Sequence, residues 1–171
     1  MMNVYDAIRA KRAIRQFQDK PLPDEVAHQI LNAGRLSQSS KNTQPWQFVA
    51  VRDRITLEAL SKCGTFAGHL AGAAMGVAIL TPDPTDKFQT LFDAGQAAAY
   101  MQLAAWELGV GSCLASIYEA EQAREVLNFP AEWHLRIAIS FGYPAPEAIQ
   151  PRPPRPEGRK QLDEMVHWDT W

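Results

Sequence analysis

Apolar positions along the chain recur at two periods, one helical and one extended. Over about 4–12, Val4, Ala7, Ile8 and Lys11 share one helical side, and Asn3 stands where it can cap the first turn. Pro21 and Pro23 stop any helix, and Asp24 is placed as N-cap of a second one over about 24–36, with Val26, Ile30, Ala33 and Leu36 at helical spacing. A strand is predicted at about 46–51. Asp53 caps a third helix at about 54–62, carrying Ile55, Leu57 and Leu60, and Gly64 and Gly68 loosen the chain beyond it. Ala74 to Leu80 is apolar throughout, as in a buried strand.

Thr81–Asp86 is a turn-rich linker with Pro82 and Pro84, and a long helix follows at about 88–109. Its middle, Ala94 to Trp106, is apolar nearly all round, so the pattern predicts burial on most sides, part of it against a partner subunit. Gly109 and Gly111 end it, and Ser112 to Ser116 has the length of a short strand. A fifth helix spans Glu119 to Leu127 before Asn128 and Pro130. In His134 to Phe141 the apolar residues Leu135, Ile137, Ile139 and Phe141 alternate on one face of a strand. Pro144 to Pro156 holds six of the chain's twelve prolines and reads as an extended arm. Beyond it lie Leu162, Met165, Trp168 and Trp171, apolar side chains that need a surface to land on, and a neighbouring subunit would supply one.

Composition narrows the class. A chain of 171 residues with 46% hydrophobic and 21% charged residues is expected to form one soluble domain. A formal net charge of −2 offers no basic excess for nucleic acid. No run is long and apolar enough to span a membrane, and Met1–Asp6 does not have the pattern of a signal peptide. Cys63 and Cys113 form no disulfide framework and no zinc spacing, which points to reduced thiols and a cytoplasmic protein.

Four constellations carry candidate chemistry. Lys11, Arg12 and Arg15 place three cations within five residues, as a phosphate site or as a solvated helix end. Ser39, Ser40, Asn42 and Gln44 lie between a helix and a strand and offer donors and acceptors to a polar cofactor, or simply cap and turn the chain; Pro45 and Trp46 belong to the scaffold. Gly109 to Ser116 is small enough for its backbone to approach a flat ligand, but it follows a helix and lacks a phosphate-loop ending. Arg159 and Lys160 add two cations beyond the proline arm, either to the same phosphate or to solvent. His28, His69, His134 and His167 show no metal spacing, and no nucleophile sits in an elbow motif.

In this order the four constellations resemble the nitroreductase family of flavin mononucleotide (FMN) enzymes. The matching segments are Lys11-Arg12-Ala13-Ile14-Arg15-Gln16-Phe17, Gln38-Ser39-Ser40-Lys41-Asn42-Thr43-Gln44-Pro45-Trp46-Gln47-Phe48, Asp93-Ala94-Gly95-Gln96-Ala97 through Leu103-Ala104-Ala105 with the Gly109–Cys113 exit, Gly142-Tyr143-Pro144, and Arg159-Lys160 followed by Leu162, Glu164 and His167-Trp168. The resemblance implies an α+β fold: a three-layer α/β/α arrangement around a mostly antiparallel sheet, in an intertwined homodimer that exchanges the C-terminal arm, 144–171. It implies that Lys11, Arg12, Arg15, Arg159 and Lys160 hold the FMN phosphate end. Ser39, Ser40, Asn42 and Gln44 would reach the sugar and ring from the other subunit, and Leu114, Ala115, Ser116 and Ile117 would line the ring. The activity implied is transfer of hydride from NADH or NADPH through flavin N5 to small nitroaromatic- or quinone-like acceptors, with no protein acid–base pair. Ala13 replaces the family's serine, and the linker from Thr81 to Gln89 is too short for a lid, as in compact members. Other flavin reactions on the same fold (dehalogenation, ene reduction, flavin fragmentation) and a non-catalytic flavin-binding protein are the alternatives.

Overall fold

The computed structural model describes residues 3–85, 87–149 and 158–171. Four strands, β1 (Gln47–Val51), β2 (Met75–Thr81), β3 (Gly111–Ser116) and β4 (His134–Gly142), form one antiparallel sheet in the order β1-β2-β4-β3. Helices cover both faces. α2 (Asp24–Arg35) and α4 (Gln89–Glu107) pack on one face against Met75, Val77, Ile79, Ile139 and Phe141. α3 (Arg54–Ser61) and α5 (Ala120–Leu127) lie on the other, over Ala78, Leu80, Ala115, Leu135 and Ala138. The two side-chain sets alternate along each strand, as a sheet buried on both faces requires. The three-layer α/β/α architecture and the antiparallel sheet thus match the expectation.

Local signals account for most boundaries. Asn3 accepts a hydrogen bond from the Asp6 amide at the start of α1 (Val4–Ala10), and Asp53 accepts from Thr56 at the start of α3. Gly109 and Asn128 close α4 and α5 in left-handed conformations. Three details differ from the sequence reading. Pro23, not Asp24, occupies the N-cap of α2, so Asp24 lies inside the first turn and pairs with Arg52. Leu36 and Ile55 face solvent, because Ala27, Ile30 and Gly34 form the buried stripe of α2, and Leu57 and Leu60 that of α3. The proline arm is not extended at its start: Pro146–Ile149 forms a helical turn, α6, with Pro146 in the first position, where a missing N–H costs nothing. The rest of the expected extended arm, 150–157, lies outside the described residues.

The segment after α1 crosses the ends of β3 and β4. Ala13 bridges Ser112, and Phe17 bridges Pro144. The crossing is close: a Cβ on Gly111 would lie 2.7 Å from the Ile14 Cβ, and one on Gly142 would lie 2.8 Å from the Phe17 ring. Only glycine leaves room for the two side chains. Hydrogen bonds from the Gln18 amide to Tyr143 O (2.8 Å) and from the Ala145 amide to Gln16 O (3.0 Å) tie the crossing to the exit of β4.

Polar contacts inside the sheet layers are few. His69, in the turn Gly68–Leu70, places Nδ1 2.8 Å from the Oγ of Ser140, a wholly buried residue of β4. Burial, and then the neighbouring Arg15 guanidinium, push the His69 pKa below its ordinary 6.5, while the Leu114 backbone works the other way. Among the described residues no helix is long and apolar enough to cross a membrane, and no group of His, Cys, Asp and Glu could hold a metal ion.

Two outcomes test this account. Gly111→Ala drives a methyl into Ile14, a branched side chain that is itself 1% exposed. It is expected to cost about 1–3 kcal/mol in urea unfolding, and an unchanged midpoint would refute the tight crossing. With its pKa lowered by folding, His69 takes up a proton in the unfolded chain at a higher pH than in the folded one. Its contribution is therefore complete above pH 6.5 and is lost as the pH falls below that value toward the lowered folded pKa. Stability should decline as the pH falls below about 6.5, before the carboxylates titrate, and His69→Gln should flatten this decline.

Candidate functional site

Among the four strands β3 neighbours only β4, so its far side is the end of the sheet, and there the bridge from Ala13 to Ser112 lies along it. α1 stops at Ala10, and Lys11 turns the chain into extended backbone beside that edge. The Ile14 amide donates to Ser112 O at 2.9 Å, and the Ile14 side chain is buried, which leaves Arg12, Ala13 and Arg15 exposed. Lys11 is half-buried. Its Nζ donates to Gln102 Oε1 at 3.2 Å, and Gln102 Nε2 donates to Ser112 Oγ at 3.2 Å. Burial lowers the Lys11 pKa, with Cys113 working in the opposite direction. Arg15 lies beside His69 and Cys113. Burial pushes the Cys113 thiol up, against the pull of Arg15 and Lys11, which disfavours the thiolate. Arg12 donates to Ile149 O at 2.6 Å and thereby ties the start of the C-terminal arm to the same edge.

Alternation along β3 divides the four expected ring-lining residues. Leu114 is 47% exposed and Ser116 half-buried on the α4 face, whereas the side chains of Ala115 and Ile117 are buried in the core of the other face. Only the backbone of Ala115 and Ile117 could face a ligand. A cavity of about 220 Å³ opens beside Leu114, between α4 and the sheet, with Ala98, Gln102, Thr81 and Arg136 in its wall. Arg136 points there because it is the extra residue of a bulge: Ile79 and Leu80 of β2 pair with Ile137 and Leu135.

The polar loop is built under strain. Lys41, Asn42 and Gln44 have φ of 53°, 55° and 47°, left-handed values that L-residues avoid. Three contacts hold them there. The buried carboxylate of Asp93 accepts from the Ser40 amide at 3.0 Å, Ser39 Oγ accepts from the Gln44 amide at 2.9 Å, and Thr43 Oγ1 donates to Ser40 O at 3.0 Å. The side chains of Ser40, Asn42 and Gln44 are left on the surface, and Ser39 is half-buried with its hydroxyl engaged. Strained non-glycine backbone that is held in place by its surroundings is a mark of binding sites.

Within one chain these groups do not come together. Asp93 anchors the loop near the start of α4, while Gln102 anchors Lys11 nine residues further on, about 14 Å along the helix axis. Arg159 and Lys160 are exposed and make no hydrogen bond or ion pair among the described residues. Asp93, Gln102, Ser112 and His69, none of them singled out from sequence for these roles, all support the site. Gln102 had one available signal, an amide in a helix turn otherwise apolar toward the sheet.

Comparison with known proteins identifies the family. The model of the nitroreductase family matches residues 8–65 and 64–143. A protein of Archaeoglobus fulgidus, provisionally named NADH dehydrogenase/NAD(P)H nitroreductase, is 33% identical over 147 residues, spanning 82% of this chain and 84% of its own. The structure of an FMN-dependent nitroreductase from Clostridium difficile superposes with a TM-score of 0.80 at 28% identity, over 96% of this chain and 98% of the other. One from Bacteroides thetaiotaomicron, provisionally of the same class as the archaeal protein, does so with a TM-score of 0.85 at 26% identity, over the whole of both chains. With matched segments that run from α1 through β4, this chain belongs to the nitroreductase family.

Proposed function

We propose that this chain is an FMN-dependent oxidoreductase that passes reducing equivalents from NADH or NADPH to nitroaromatic- or quinone-like acceptors, and that it works as a homodimer. The observation that carries this reading is the combination at the outer edge of β3: a half-buried ammonium (Lys11), a guanidinium (Arg15) and a large exposed apolar side chain (Leu114).

The donor set suits FMN. A phosphate monoester carries close to two negative charges, and Lys11 has two N–H groups left after Gln102, while Arg15 offers a planar fork. Leu114 and the small residues around it suit the face of a flat ring. The chemistry supplied by bound FMN is transfer of electrons between a nicotinamide and an acceptor. The residues of this chain would bind and orient it: Lys11 and Arg15 at the phosphate, Arg12 and the Arg159–Lys160 pair as further cations, and the β3 backbone along the ring. Ser39, Ser40, Asn42 and Gln44, at the other end of α4, would complete the site from a second copy.

Unpartnered apolar surface supports that second copy. Leu91 and Phe92 on α4 are 48% and 71% exposed, and Val4, Tyr5 and Ile8 of α1 also face outward. The apolar side of α1 expected from sequence exists but covers little of its own chain. Leu162, Met165, Trp168 and Trp171 extend the same character into the C-terminal segment. Exposure on this scale marks an interaction surface.

Purified protein should take up FMN, seen as quenching of its fluorescence, and should oxidise NADH or NADPH with a quinone or nitroaromatic present. Arg15→Ala should weaken FMN binding by roughly tenfold or more, from the loss of a charge-assisted contact. Arg12→Ala should do less, because its guanidinium already serves Ile149. A protein that takes up no flavin would overturn the enzyme reading. Phe92→Glu should turn the dimer into a monomer in sedimentation velocity and lower flavin affinity with it; a dimer that survived would move the interface away from α4.

A further inference from the structure

α4 meets the sheet through Ala97, Ala98, Met101 and Ala105, and among them lies one amide, Gln102, 5% exposed. Packing alone would be served by an apolar side chain, and a buried amide is unfavourable unless both of its ends are bonded. Here both are. Nε2 donates to Ser112 Oγ, and Oε1 accepts from Lys11 Nζ, each at 3.2 Å. The direction is set by chemistry, since an ammonium only donates and the oxygen must face it. Ser112, 1% exposed, holds the amide in that orientation, and its own carbonyl accepts from the Ile14 amide. One residue of β3 therefore ties down both the backbone of the basic segment and the group that aims its lysine. Among the described residues Gln102 is the only hydrogen-bond partner of the Lys11 side chain, which would otherwise swing on a flexible four-carbon stem.

We propose that Gln102 is a positioning residue that, braced by Ser112, holds the Lys11 ammonium at the edge of β3 so that it receives the phosphate of the flavin, and that this relay contributes to the preference of the site for the phosphorylated flavin over riboflavin. The inference rests on the FMN reading above. Gln102 does not touch the phosphate; it acts through Lys11.

The test measures dissociation constants for FMN and for riboflavin by fluorescence titration of the full chain. The proteins are wild type, Gln102→Met, Lys11→Met and the double variant; methionine keeps the length and bulk of the glutamine without its amide. Gln102→Met is expected to weaken FMN binding roughly tenfold and to change riboflavin binding less than about twofold. In the Lys11→Met background it should add nothing. Equal losses for FMN and riboflavin, or the same loss with and without Lys11, would reduce Gln102 to a packing role and overturn the proposal, as would an FMN affinity equal to wild type. Ser112→Ala is the second variant if Gln102→Met fails to fold. It should weaken FMN binding by about threefold and leave riboflavin alone, and wild-type affinity in it would equally refute the relay. Wild-type protein that binds neither flavin would defeat the FMN reading and this inference with it, whereas FMN binding that depends on Lys11 but not on Gln102 would defeat the inference alone.

Discussion

The close crossing of residues 13–17 over the ends of β3 and β4 is the contact on which the site depends. It sets a buried branched side chain, Ile14, directly against Gly111, and an aromatic ring against Gly142. Once that crossing is made, alternation of the extended backbone leaves no choice: the residue that anchors is apolar, and its neighbours Ala13 and Arg15 point outward. Arg15 is thus placed by the core packing of its neighbour Ile14, whereas Lys11 and Arg12 are each held by a contact of their own. Placement by packing suits a binding site, because a charge held by packing elsewhere can keep its hydrogen-bonding capacity for a ligand.

α4 plays a second, less visible part. Its apolar composition suggests a simple core helix, yet its two buried polar side chains with assigned partners, Asp93 and Gln102, each hold a piece of the candidate site. Asp93 stabilises a loop that includes three left-handed residues, and Gln102 restrains a lysine. Both do so from within a rigid element, which holds a group more closely than a loop would. The strained loop and the restrained lysine are therefore held in fixed relation by the same nineteen-residue helix.

Much of the fold was legible because its elements follow simple periods. The strand of Ala74 to Leu80, the alternating strand at 134–141, and the caps Asn3 and Asp53 rest on local chemistry that a sequence carries openly. The basic segment and the polar loop were legible as residue types in order. What was not legible is what joins distant positions. Gln102 and Lys11 are 91 residues apart, and Ser40 and Asp93 are 53 apart; nothing local marks either pair. The resemblance sets Leu114 to Ile117 along the ring without separating backbone from side chain; strand alternation makes that separation, sending the side chains of Ala115 and Ile117 to the other core. The helical turn at Pro146 was hidden by its own composition, since proline at a first helical position looks the same in sequence as proline in an extended arm.

The placement of one half-site at each end of α4 has a genetic consequence. In a two-fold pairing of the kind proposed, every complete site draws its cations from one copy and its polar loop from the other. A chain damaged only at Lys11 and a chain damaged only at Asn42, mixed in one cell, would then form dimers with one site carrying both lesions and one carrying neither. Two inactive alleles would restore each other's activity, to no more than one site per mixed dimer, without any exchange of sequence between them.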